Sequence, residues 1–241
     1  MSIWGKVIGG MAGFALGGPL GALLGAFAGH AVDRMRTGGT ASAEDRRLAF
    51  TIAVIVLSAK MAKADGHVSR DEIAAFKRVF HIPPDEMEDV GRLFDEARQD
   101  ASGFEPYAEQ IARLFAGEPA LLEELLGSLF HIAMADGHLH REELDYLRRV
   151  AAIFGFDARV FERIRASLGE SEDENPYTVL GLAPGATDAE LKRVYRNLSR
   201  ENHPDTLIAQ GMPQEFVDLA NGKMAAINAA HDRIRKERGL A

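Results

Sequence analysis

Pro204 restricts what this chain can fold into more than any other residue, because helical sequence presses against it from both sides. Proline cannot continue a helix, and it disfavours helical geometry at the preceding His203, so the chain must turn there. Upstream, Thr187 with Glu190 three residues on makes a capping box and opens a helix. Leu191, Val194, Tyr195 and Leu198 recur along it at helical spacing and form an apolar stripe. Lys192, Arg196 and Arg200 follow every fourth residue on another face, with Arg193 beside them. Downstream, a second amphipathic helix is expected from about Gln214 to Glu237, with Phe216, Leu219, Met224, Ile227, Ala230 and Ile234 on its inward side. Two antiparallel helices joined by a polar loop bury their stripes against each other and leave the tip, His203-Pro204-Asp205, exposed. The basic face then lies beside the tip. Such a surface favours fast, salt-sensitive docking onto an acidic protein partner.

Asn175-Pro176 adds a helix start, Asn as N-cap and Pro at the first helical position, and a short apolar turn ends at Gly181. Asn175-Pro176-Tyr177 with Leu180-Gly181-Leu182, Tyr195-Arg196-Asn197-Leu198, His203-Pro204-Asp205 and Ala226-Ile227-Asn228-Ala229-Ala230 together resemble a J domain of the DnaJ family over residues 175–241. The resemblance implies that His203, Pro204 and Asp205 stimulate ATP hydrolysis by a DnaK-type chaperone, with Lys192, Arg193, Arg196 and Arg200 docking on it. The chemistry would belong to the partner, so the chain is expected to be an activator without a cofactor, not an enzyme. Two residues depart from the family pattern: Thr206 stands where Lys is frequent, and His231 where Tyr is frequent. The first would weaken docking; the second concerns packing. The plainer alternative makes His203 a helix cap and the basic residues a solvated face; it loses force because the tripeptide stands in register between both helices. Nucleic acid is not an expected partner, since residues 175–241 carry nine Lys and Arg against eight Asp and Glu.

At the other end of the chain Gly5, Gly9, Gly13, Gly17, Gly21, Gly25 and Gly29 fall four residues apart, and 26 uncharged residues separate Lys6 from Asp33. As one helix these would extend about 39 Å, enough to cross a hydrocarbon core of about 30 Å with tilt. Glycines at this spacing let two membrane helices approach closely and cross with a right-handed sense. Residues 1–36 are therefore expected to be a single-pass anchor that self-associates, giving a homodimer. Gly17-Gly18-Pro19 leaves open a re-entrant hairpin, and Ala26-Phe27-Ala28 a cleaved signal peptide, although the apolar region is long and glycine-rich for one. A flexible glycine-rich tail fits poorly with the regular spacing and the Ile, Leu and Phe content. Arg34, Arg36, Arg46 and Arg47 follow the segment, partly offset by Asp33, Glu44 and Asp45, which puts the carboxy-terminal side in the cytoplasm. A J domain needs an ATP-driven partner, which favours the same side.

Between these ends, residues 41–170 show helical periodicity near 44–64, 70–80, 84–99, 104–116, 119–135, 141–154 and 157–168, and no alternating strand pattern. An all-α domain is expected. Acid is concentrated here: residues 37–174 carry 16 Lys and Arg against 27 Asp and Glu. The segment Ala64-Asp65-Gly66-His67-Val68 recurs 71 residues later as Ala135-Asp136-Gly137-His138-Leu139, and Asp71-Glu72-Ile73 recurs as Glu142-Glu143-Leu144. One reading joins Asp65, Asp136, Glu72 and Glu143, with His67 and His138, in a divalent-metal site. The other makes each copy a helix-to-helix corner whose acids cap helix amino termini, as Ser69 with Glu72 suggests. The absence of an EF-hand ligand pattern favours the corners. The repeat resembles the TerB-like helical domain, for which that family implies metal or partner binding.

Gly169-Glu170-Ser171-Glu172-Asp173-Glu174 reads as an acidic linker that would leave the carboxy-terminal domain some freedom of movement. The order of anchor, TerB-like domain and J domain resembles the DjlA type of bacterial membrane-anchored co-chaperone, as do Trp4-Gly5-Lys6, Gly29-His30 and Asp33 within the anchor. That family implies the bacterial inner membrane as location. A second reading is a membrane-bound sensor or scaffold that uses the acidic central domain to bind a partner or a divalent metal. The chain has no Cys, so it holds no zinc module with paired cysteines for binding clients.

Overall fold

The protein is described by a computed structural model that covers residues 43–65, 76–77, 87–99, 103–168, 174–209 and 214–240. The expected anchor, the first copy's loop with His67 and Glu72, and the acidic linker residues 169–173 lie outside these. Among the described residues there are helices and no strands. No helix among them is long and apolar enough to cross a membrane.

Helix α1 (Ala43–Asp65) is the shaft of the central unit. From Ala49 to Ala62 each of its residues is buried, Thr51, Ser58 and Lys60 included. A helix that is apolar nearly all round must be surrounded, and this one is. It touches α2 (Met87–Gln99), α3 (Glu105–Leu114), α4 (Pro119–Ala133) and α5 (Arg141–Ile153). Lys60 is accommodated by placing its ammonium 4.7 Å from the centre of the Tyr107 ring. Tyr146 on α5 donates a hydrogen bond to the Leu57 carbonyl at 2.8 Å, which ties α5 to the shaft. Burial and the Glu105 carboxylate raise the Tyr146 hydroxyl well above its ordinary value, so it stays a donor. Helix α6 (Ala158–Leu168) packs on α4 and α5, with Phe161 against Phe130.

The carboxy-terminal unit begins with the four-residue α7 (Pro176–Val179), continues with α8 (Asp188–Glu201) and the six-residue α9 (Pro204–Ala209), and ends with α10 (Gln214–Glu237). Its own core holds Val179, Leu180, Leu191, Leu198, Ile227, Ala230 and Ile234, joined by Ala166 of α6. The last helix divides its labour. Its second half serves this core, whereas Phe216, Val217 and Ala220 in its first turns belong to the core of the central unit, as does Leu207 of α9. Periodicity alone would turn Phe216 toward α8; instead its ring meets Phe50 of α1 edge-on at 4.8 Å. The two units thus share a core, contrary to the freedom of movement expected of the linker. Arg159 of α6 reinforces the junction by donating from Nε and Nη2 to the Gly181 carbonyl at 2.9 and 2.6 Å.

Candidate functional site

The tip of the carboxy-terminal unit is built by successive caps. Asn175 Oδ1 accepts from the Tyr177 amide at 2.9 Å and starts α7. At Gly181 the backbone turns with φ +64, and a Cβ there would lie 2.9 Å from Arg163 Cδ, so glycine is required by conformation and by space. Thr187 and Glu190 form the expected capping box: the Glu190 amide donates to Thr187 Oγ1 at 3.2 Å and Glu190 Oε2 accepts from the Thr187 amide at 2.8 Å. Those donors, the Thr187 amide first and its hydroxyl second, lower the Glu190 carboxyl.

On α8 the basic residues Lys192, Arg193, Arg196 and Arg200 are all exposed. At helical spacing they fill an arc of about 100°, roughly opposite the arc holding Leu191, Val194, Tyr195 and Leu198. None of the four is in a salt bridge among the described residues. Asp188 and Glu190 at the start of α8 and Arg200 at its end also suit the helix dipole. Helix α8 is held to α10 by Tyr195, whose ring stacks on His231 with centres 3.8 Å apart and whose hydroxyl lies 3.1 Å from Asn228 Oδ1. His231 therefore serves packing, as expected at a position where an aromatic ring is frequent.

Helix α8 ends at Asn202, a buried side chain whose Nδ2 donates to the Leu198 carbonyl at 2.7 Å. The tripeptide follows at once. His203 is 58% and Asp205 88% exposed at the side chain. The His203 carbonyl accepts from the amides of Thr206 and Leu207 at 2.9 and 3.1 Å, so Pro204 both ends one helix and occupies the first position of the next. Helix α9 has no counterpart among the helices expected from periodicity. His203 Nδ1 accepts from the Asp205 amide at 3.2 Å, while Asp205 Oδ2 stands 3.8 Å away. The first contact is the hydrogen bond; the second is too long for one. With Nδ1 engaged by the Asp205 amide, Nε2 has no hydrogen-bond partner among the described residues. Thr206 Oγ1 bonds the Arg200 carbonyl at 3.1 Å, fastening α9 to the end of α8 in place of a projecting cation.

Behind the tip, Lys223 of α10 is 2% exposed and places Nζ 2.6 Å from Glu124 Oε1 and 3.4 Å from Glu123 Oε2. Glu123 also receives Arg163 Nη2. Burial pushes the Glu123 carboxyl up, but the Lys223 and Arg163 cations and their hydrogen bonds outweigh it and hold the group below its ordinary value. Sequence reasoning misses this cluster, because charged residues so far apart in the chain carry no local pattern.

The second copy of the internal repeat is a helix-to-helix corner. Asp136 Oδ1 accepts from the His138 amide at 2.9 Å, the first cause of its lowered carboxyl, and Gly137 turns with φ 86. Glu143 is buried and its Oε2 accepts from the His140 amide at 2.9 Å, capping α5. Among the described residues no group of three or more His, Cys, Asp or Glu could hold a metal. The side chains of Asp65, His67 and Glu72 lie outside the described residues.

Three protein families match the sequence: the co-chaperone DjlA transmembrane domain over residues 1–47, tellurite resistance protein TerB over 51–166, and the DnaJ domain over 175–238. The co-chaperone protein DjlA of Photobacterium profundum is 33% identical over 276 residues, covering 99% of this chain and 100% of the relative. That of Coxiella burnetii is 33% identical over 265 residues and covers 98% of each. That of Shewanella oneidensis is 32% identical over 266 residues and covers 100% of each. No solved structure matches the chain.

Proposed function

Since the chain belongs to the DjlA family of membrane-anchored J-domain co-chaperones, we propose that it stimulates ATP hydrolysis by a DnaK-type chaperone at the membrane surface. One observation carries this reading: an exposed His203-Pro204-Asp205 follows directly on a helix whose exposed basic arc has no salt bridge among the described residues. The arc of Lys192, Arg193, Arg196 and Arg200 draws in an acidic surface of the partner. The tripeptide then meets the partner's catalytic machinery through the exposed Asp205 carboxylate and the His203 imidazole. Residues 1–36 serve as the anchor, paired through the glycine stripe, residues 41–170 as the TerB-like domain, and residues 175–241 as the J domain in the cytoplasm.

Single-turnover ATP hydrolysis by the partner chaperone tests the reading. The full chain accelerates it, and His203→Gln removes the acceleration while helix content by circular dichroism stays the same. Equal acceleration by the variant would overturn the assignment. The rival reading is a sensor or scaffold built on the acidic central domain; the described second copy of the repeat uses its acids as caps.

A further inference from the structure

We propose that the TerB-like domain is the platform that holds the tripeptide in its working position, with Leu207 and Phe216 as positioning residues. The proposal rests on the chaperone-activation reading above. Leu207 stands two residues after Asp205 and is 0% exposed; α9 packs on α10 and α8, and Leu207 belongs to the buried cluster that also holds Ala49 and Phe50 of α1. Its neighbour Ile208 is 47% exposed, so α9 is gripped along one face alone. Phe216, Val217 and Ala220 lie in the same core, and Phe216 meets Phe50. None of these four residues belongs to the core that folds the J domain itself. The first turns of α10 form the junction, which the buried Lys223 with Glu123 and Glu124 extends along the helix.

A six-residue helix has little stability of its own. Two amide bonds to the His203 carbonyl and one from Thr206 to Arg200 hold α9 locally, and Leu207 supplies its apolar anchorage. Loosening that anchorage lets Asp205 wander relative to the basic arc, although α8 keeps its cap and its core. Docking and positioning are therefore separable. The basic arc sets how tightly the partner binds, and the platform sets how well the tripeptide is aimed once it has bound.

The experiment uses the full chain in nanodiscs and reads two quantities. Hydrogen exchange across residues 203–209 reports the anchorage without any chaperone. Phe216→Ala is expected to speed exchange there about tenfold while residues 191–198 and 227–234 keep their protection. In partner ATPase titrations the same variant lowers maximal stimulation about tenfold and leaves the half-saturating concentration within about twofold, with Phe216→Leu restoring most of the maximum. Lys192→Ala with Arg196→Ala gives the opposite pattern: a raised half-saturating concentration and a retained maximum. Should Phe216→Ala speed exchange in every segment, Leu207→Ala, which removes only the α9 contact, gives the decisive reading of both quantities. Unchanged exchange across 203–209 in the deciding variant, or a raised half-saturating concentration with a full maximum, overturns the proposal. If His203→Gln leaves stimulation intact while exchange responds as expected, it is the chaperone reading that fails.

Discussion

At the scale of single residues, Lys223 shows how strongly the two domains depend on each other. An ammonium 2% exposed must be neutralised, and Glu124 at 2.6 Å with Glu123 at 3.4 Å does so. Removing one member leaves its partner charged in a buried place, which costs about 3–5 kcal/mol. Lys223→Met is therefore expected to be severely destabilising in urea titration. Adding Glu124→Leu should recover most of the loss, because an apolar pair replaces the ion pair; an additive double variant would contradict this. Glu123 adds a pH signature. Its folded carboxyl sits below the ordinary 4.5, because Lys223 and Arg163 outweigh the upward push of burial. A depressed carboxylate contributes stability above its unfolded value and loses it as pH falls through the folded one. The stability difference between the parent chain and Glu123→Gln should thus be constant near neutrality and shrink below about pH 4.5. A difference that ignores pH would remove Glu123 from the account.

The helices differ in how openly the sequence announces them. The start of α8 is legible because Thr187 and Glu190 satisfy each other locally, and the structure shows that reciprocal bond. Thr187→Ala should lower stability by about 1 kcal/mol, measured as a shift in the chemical denaturation midpoint. A shift as small as that of an exposed Thr mutated mid-helix would mean the cap is idle. The short helix α9 is not legible, since six residues hold too few turns for periodicity. Pro204 signals the end of α8 plainly, yet proline is equally at home in a first turn, and the sequence alone does not choose. The stripe on α10 runs from Phe216 to Ile234, interrupted on its buried face by Lys223. Periodicity reveals that this face is buried but not that its two halves are buried against different partners. Likewise the repeat suggests a corner at residues 135–143, while only hydrogen bonds to backbone amides identify Asp136 and Glu143 as caps.

For the whole molecule, order of domains and division of charge are readable, because a 26-residue uncharged run and a −11 central region are properties of composition. The union of the two folded domains is not. An acidic linker reads as a hinge, whereas the packing of Phe50 on Phe216 joins residues 166 positions apart in the chain. The glycine stripe carries the remaining large-scale expectation. Replacing Gly13, Gly17 and Gly21 by Leu should weaken dimers in a bilayer, because bulkier side chains hold the helix backbones apart. Unaltered crosslinking of the full chain would assign the stripe another purpose.

The seat of Leu207 and Phe216 also bears on how such a protein can be recombined. A J domain grafted from another protein after residue 174 would bring its own hairpin and its own tripeptide. It would lack side chains shaped for Phe50, and a cation for Glu124. The chimaera would then carry a bare aromatic patch beside a buried acid, a combination that favours aggregation. Interchangeable in sequence, the domain is captive in three dimensions.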